Sequence, residues 1–270
     1  MSDETFHLTK WYLDAVSEDG RVLVGHHGEL SWKGISFRHA SVLLRDRAGQ
    51  VTERWASRGI SAPVLEEGSV RWTSSRPAVD GLWKRAEGGA GNAESGSFRL
   101  LATAEGSVDW SCLVPAARVR ATLPDGSLLE GSGYAEKLEL SIPPWRLPIE
   151  ELRWGRFLSG GSSLVWIDWR GAVPLSLALL DGRRVAVVSI DDTSVVLADP
   201  PGRLDLLPTA VLRDGLLGGP VLGRVPGLSR TLPARMLRVH ESRRLARGVL
   251  EVEGGVRREG DALFEVVRWP

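Results

Sequence analysis

Trp11-Tyr12-Leu13-Asp14-Ala15-Val16, then Ser17-Glu18-Asp19-Gly20, then Arg21-Val22-Leu23-Val24 read as strand, Asp-Gly turn and strand. The same unit recurs along the chain. Val42 to Arg45 meets Arg47-Ala48-Gly49-Gln50 and Val51 to Trp55. Ala117 to Leu123 meets Pro124-Asp125-Gly126 and Ser127 to Gly131. Ser176 to Leu180 meets Asp181-Gly182 and Arg183 to Ser189, and Val249 to Val252 meets Glu253-Gly254-Gly255 and Val256 to Glu259. Five hairpins with period-two patterning and scarce helical stripes predict an all-β antiparallel chain built as barrels or sandwiches. Pro144 to Leu152 and Pro208 to Leu217 are the two short helical candidates. Glu87 to Gly96, made of Gly, Ala and polar residues, reads as a mobile loop.

Ser141-Ile142-Pro143-Pro144-Trp145-Arg146-Leu147-Pro148 cannot be a central strand, because its prolines lack donors. It divides the 270 residues into parts of small-barrel size, residues 1–145 and 146–270. Lys10-Trp11 and Arg153-Trp154 open the two parts alike, a faint internal echo.

The bulk numbers exclude several classes. Lys plus Arg and Asp plus Glu are both 34, which argues against a nucleic-acid surface or a polybasic membrane anchor. One cysteine, Cys112, forms no internal disulfide, and the acidic N-terminus is unlike a secretory signal, so a cytoplasmic protein is expected. No apolar run reaches membrane-spanning length. Five histidines and one cysteine show no metal-ligand spacing. No P-loop, nucleotide-binding glycine motif or nucleophile elbow occurs, so no cofactor is expected. Only four basic residues are lysine, and the arginine excess reads either as genomic base composition or as bidentate anion recognition.

Eleven tryptophans beside two tyrosines turn attention to apolar recognition. In Leu128 to Leu140, Tyr134 and Glu136 share a face with Leu138 and Leu140, whereas Gly131, Gly133 and Ala135 share the other. The alternate glycines predict a bulge or a close approach of another group. Glu136 is a candidate general acid oriented by Tyr134; the alternative is a carboxylate paired with an arginine that merely closes a barrel. Trp154 and Arg156 alternate on one strand, and Trp166 and Asp168 on the next. They read either as an aromatic pocket wall with fixed polar groups or as a structural Arg156–Asp168 ion pair. Trp154 and Trp166 are expected to face one pocket with Glu136, and Trp169 to serve packing. His26 and His27 are placed in or near a turn. His39, alternating with Phe37 and Ser41, is a further candidate, and Trp145 joins the ligand-binding set.

Several of these pieces resemble the AttH-like, lipocalin-type superfamily that includes hydroxyneurosporene synthase (carotenoid 1,2-hydratase), with fungal Diels–Alderases as relatives. They are Trp11-Tyr12-Leu13-Asp14 with Asp19-Gly20; Trp110 to Val114-Pro115 leading through Leu129-Glu130-Gly131 to Gly133-Tyr134; and Arg153-Trp154-Gly155-Arg156 before the Trp166 strand. The resemblance implies two lipocalin-like β-barrels in tandem and an apolar ligand site. The hydratase pattern continues from Gly-Tyr as His-Asp-His-Asn-Trp-Gly. Here Ala135, Glu136, Lys137 and Leu138 follow Tyr134, so only the carboxylate is kept, as a longer homologue. That departure leaves two readings. One is a cofactor-independent lyase, isomerase or cyclase acting on an isoprenoid, polyene or polyketide, with Trp145, Trp154 and Trp166 stabilising cationic character. The other is a non-catalytic carrier of an apolar ligand.

Overall fold

The computed structural model describes residues 5–86, 96–160, 162–217 and 233–270; the loop expected at Glu87 to Gly96 lies almost entirely outside them. Contacts divide the chain into two units, Met1–Pro144 and Trp145–Pro270. The first carries β1 (His7–Val16), β2 (Val22–Trp32), β3 (Ile35–Arg45), β4 (Val51–Ala56), β5 (Val64–Glu66), β6 (Ser69–Ser74), β7 (Val79–Arg85), β8 (Ser97–Thr103), β9 (Gly106–Thr122) and β10 (Leu128–Leu140). The second carries β11 (Glu151–Ser159), β12 (Ser162–Arg170), β13 (Leu175–Leu180), β14 (Arg183–Ile190), β15 (Ser194–Asp199), β16 (Pro201–Leu216), β17 (His240–Val252) and β18 (Arg258–Arg268).

All five hairpins form, as β1–β2, β3–β4, β9–β10, β13–β14 and β17–β18. The first turn shows why. Gly20 takes φ +82°, and the Asp19 carboxylate accepts from Ser17 Oγ, from Arg21 Nε at 3.0 Å and from Arg47 Nε at 2.8 Å. The two helical candidates are corrected. Pro208 to Leu217 falls mostly within β16, and Pro144 to Leu152 yields only a 3-10 turn over Pro144–Arg146 before β11 begins. Cross-strand pairing with β17 along the whole of β16 outweighs local propensity.

The units solve the edge problem differently. In the second, β11 through β18 close into an eight-stranded antiparallel barrel, with β18 returning to β11. In the first, the sheet runs β4-β3-β2-β1-β10-β9-β7-β6-β5, and no ladder joins β4 to β5. The expected all-β, lipocalin-like fold is present, and within it the first unit is a curled sheet with a seam between β4 and β5. Side chains bridge what the backbone leaves open. Trp72 Nε1 on β6 donates to Ser61 O at 2.9 Å, and Trp83 Nε1 on β7 donates to Asp14 O on β1 at 2.7 Å. Both indoles are fully buried and fill the core with Leu13, Val42, Val119 and Leu129.

In the second unit Phe157, Trp166, Leu204 and Phe264 fill the barrel core. On its wall, Arg243 donates to Glu265 Oε2 from Nε at 3.0 Å and from Nη2 at 2.6 Å, and Nη2 stands 2.8 Å from Glu241 Oε1. All three side chains are buried. Arg243→Met would remove the cation that the two buried carboxylates share, leaving Glu241 with Arg213 at 3.4 Å, so we expect it to destabilise by about 2–4 kcal/mol in denaturant titration; a loss under about 1 kcal/mol would show that the remaining partners compensate.

Candidate functional site

β10 positions the two residues singled out from the sequence. Its core-facing residues are Leu129 and Ala135, so Tyr134 and Glu136 lie on the opposite face of the sheet. Gly131 and Gly133 leave room for β1: a Cβ at Gly133 would stand 2.0 Å from Asp14 O, and one at Gly131 would stand 2.2 Å from Val16 O. The expected irregularity is present too. Register shifts flank Ala135, and β9 carries the extra residues around Pro115, where a missing donor is tolerated.

The bulged β9 brings Trp110 and Cys112 beside β10. Tyr134 Oη donates to Glu136 Oε2 at 2.8 Å, and Trp110 Nε1 donates to the same oxygen at 2.5 Å. Tyr134 is fully buried, and burial, followed by the neighbouring Cys112 and Glu136, holds its phenol well above the usual range. It therefore stays protonated and remains a donor. Cys112 lies within hydrogen-bonding reach of Tyr134, and burial pushes its thiol up to about 12 despite that bond. We expect Cys112 to resist iodoacetamide at pH 8 in the folded protein and to react once unfolded; rapid native alkylation would contradict the packing.

The ladder extends the site laterally. Glu136 pairs in register with Tyr12 on β1, Tyr12 with His26 on β2, His26 with Ser41 on β3, and Ser41 with Trp55 on β4. One row of polar and aromatic side chains thus crosses five strands. The rings of Tyr12 and Tyr134 are 6.2 Å apart, and those of Tyr12 and His26 are 5.3 Å apart, edge to face. Apolar groups flank the carboxyl: Leu138 shares its face, and Phe98 on β8 lies 5.6 Å from the Trp110 ring.

The remaining candidates are dispersed. His26 and His27 lie within β2, away from any turn. His39 sits in the next row, its ring over Gly28, and its pKa is lowered to about 4 by burial, then by Lys10 and His27. Trp145 is half-buried in the 3-10 turn. Trp154 and Trp166 do not face one pocket. Gly155 pairs with Trp166 and lies under its ring inside the barrel, so Trp154 and Arg156 occupy the outer face of β11. Trp11 packs against the first unit's core whereas Trp154 turns outward, so the Lys10-Trp11 and Arg153-Trp154 echo does not extend to side-chain placement. The Arg156–Asp168 pair does not form, for the same reason. Arg156 Nη1 donates to Asp261 O at 2.9 Å, while Asp168 accepts from Arg170 Nε at 2.9 Å and Ser176 Oγ at 2.6 Å. Trp110, Cys112, Tyr12 and His26 escaped the sequence reading as site residues. The signal for them is the register of β9, β1 and β2 against β10.

No protein-family model and no curated protein matches the chain by sequence. Solved structures do match in shape. CghA with Sch210972 superposes with a TM-score of 0.61 at 11% identity, covering 97% of this chain and 88% of that one. Kievitone hydratase from Nectria haematococca gives 0.57 at 12% identity, covering 96% and 88%. An AttH protein from Nitrosomonas europaea gives 0.53 at 12% identity, covering 97% and 92%. The fold is AttH-like and lipocalin-like. The alignment covers 97% of the chain and so runs through both units. No helix among the described residues is long and apolar enough to cross a membrane.

Proposed function

We propose that the chain binds an apolar small molecule of isoprenoid, polyene or polyketide type and converts it by cofactor-independent proton transfer, in the manner of a hydratase, lyase, isomerase or cyclase. The observation that carries this is the convergence of Tyr134 Oη and Trp110 Nε1 on Glu136 Oε2. A carboxyl held by two fixed donors among aromatic groups is oriented to give or take a proton at a bound carbon or oxygen. Adding water to an alkene, eliminating it or shifting a double bond each needs one such group, and Glu136 supplies it. The half-buried Glu136 retains accessible surface, whereas Tyr134 is sealed and serves to orient. Kievitone hydratase supports the reading as a hydratase on the same fold. The site would work in the cytoplasm.

The alternative is a carrier without turnover, favoured by the replacement of the hydratase histidines with Ala135 and Lys137. Native mass spectrometry of the purified protein, with a tryptophan-fluorescence screen of polyenes, fatty acids and aromatic polyketides, tests what both share. We expect a bound apolar molecule, and a fluorescence response reduced in Trp110→Phe. Absence of any apolar ligand would overturn both readings.

A further inference from the structure

The seam of the first unit holds a cavity of about 630 Å³, lined by Arg54 to Arg58 on one side and by Ser75 to Ala78 on the other. Trp55, at the far end of the polar row, contributes to its wall; the β4 wall lies four strands from β10 in the ladder, and the other wall is the turn between β6 and β7, on the far side of β9. Its two walls are tied together. Ser75 Oγ donates to Gly59 O at 2.7 Å, Arg76 N to the same oxygen at 3.2 Å, and Ser61 N to Ser74 Oγ at 3.1 Å. The cleft is therefore held open by a hydrogen-bonded frame.

Its charge is one-sided. Arg54, Arg58 and Arg76 line it, and no acidic residue does. Elsewhere most arginines of this neutral chain meet carboxylates: Arg21 and Arg47 share Asp19, Arg99 holds Asp109, and Arg153, Arg170 and Arg268 converge on Glu151. No carboxylate partner is recorded for the three cleft arginines among the described residues. The indole N–H of Trp55, although buried, meets no acceptor among them either. The three arginines are exposed, so their mutual repulsion is screened, and an anion that met several guanidinium forks at once would gain charge-assisted bonds from all of them.

We propose that this cleft is a binding site for a small multivalent organic or inorganic anion bearing carboxylate or phosphate groups, separate from the Glu136 cluster. Arg54, Arg58 and Arg76 supply the charge and the bidentate donors; Trp55, which follows Arg54 on β4 and stacks on Phe37, borders the cleft. The site stands independently of whether Glu136 is catalytic. It gives the second reading of the arginine excess, anion recognition, one specific location.

Calorimetric titration of the full chain with citrate and, separately, with pyrophosphate tests the proposal, with neutral glycerol as control. Saturable binding of at least one anion is expected. It should weaken as NaCl is raised, because exposed charges are screened, and fall about tenfold or more in Arg58→Gln/Arg76→Gln, a change of roughly 1.4 kcal/mol. The stronger of the two probes distinguishes carboxylate from phosphate chemistry. Arg54→Gln, a single exposed substitution, provides a second variant should the double one fold poorly; circular dichroism checks each. Absence of saturable binding for both anions, or binding that both variants leave unchanged, would overturn the site.

Discussion

Glu136→Gln is expected to lower turnover by two to four orders of magnitude, on the order of what a positioned acid or base supplies. The amide is nearly isosteric, and its carbonyl oxygen can still accept from Trp110 and Tyr134, so the row through Tyr12 and His26 should persist. What is lost is the exchangeable proton. An apolar ligand identified by the mass spectrometry proposed above should bind the variant with affinity within a few-fold of the parent, while product formation slows by those two to four orders of magnitude. Tyr134→Phe should do less, because Trp110 still holds the carboxyl. If Glu136→Gln turns over like the parent, Glu136 leaves the mechanism; if neither protein turns over but both bind, the carrier reading stands.

Gly133→Ala should be among the most damaging single substitutions in the first unit. The added methyl would meet the Asp14 carbonyl oxygen at 2.0 Å and Val119 Cγ2 at 2.6 Å. The first of these is backbone, and it cannot rotate away. Asp14 O also receives the Trp83 indole, so relieving the clash by shifting β1 would disturb a hydrogen bond that binds the curled sheet across its interior. A loss of about 3–5 kcal/mol is expected, near the upper end for point substitutions. By the usual scaling this is a fall in Tm of very roughly 6–20 °C. Gly28→Ala is the control. The three atoms nearest its methyl would all belong to the His39 ring, the first at 2.4 Å, and a side chain can shift where a backbone carbonyl cannot. Equal losses in the two variants would show that β1 and β10 are not packed as described.

These two predictions mark where sequence patterning was informative. The face shared by Tyr134 and Glu136, and the bare glycine face behind it, follow from alternation within one strand. The hairpins are equally local, since a strand, a short turn and a returning strand lie within about twenty residues. The division near Pro144 follows from missing backbone donors.

Alternation says which residues share a face, but it does not say which face looks inward, and there the sequence reading failed for Trp154 and Trp166. Gly155, between Trp154 and Arg156, decides the matter, because it gives up its side-chain volume to the Trp166 ring inside the barrel. Nor could local pattern show that β16 is a strand through Pro208, or that β4 and β5 stay unjoined. Both depend on partners far away in sequence.

By itself, then, the sequence determined the class of structure, the hairpin units and the strand face that Tyr134 shares with Glu136. These rest on interactions between near neighbours, whose geometry residue type and spacing dictate. Only the tertiary structure decided that Trp110 and Tyr134 share one Glu136 oxygen, that Arg156 and Asp168 part company, and that three arginines gather at the seam of the first unit. Those facts depend on the register and curvature of strands distant in the chain, set by the packing of the whole sheet around its core.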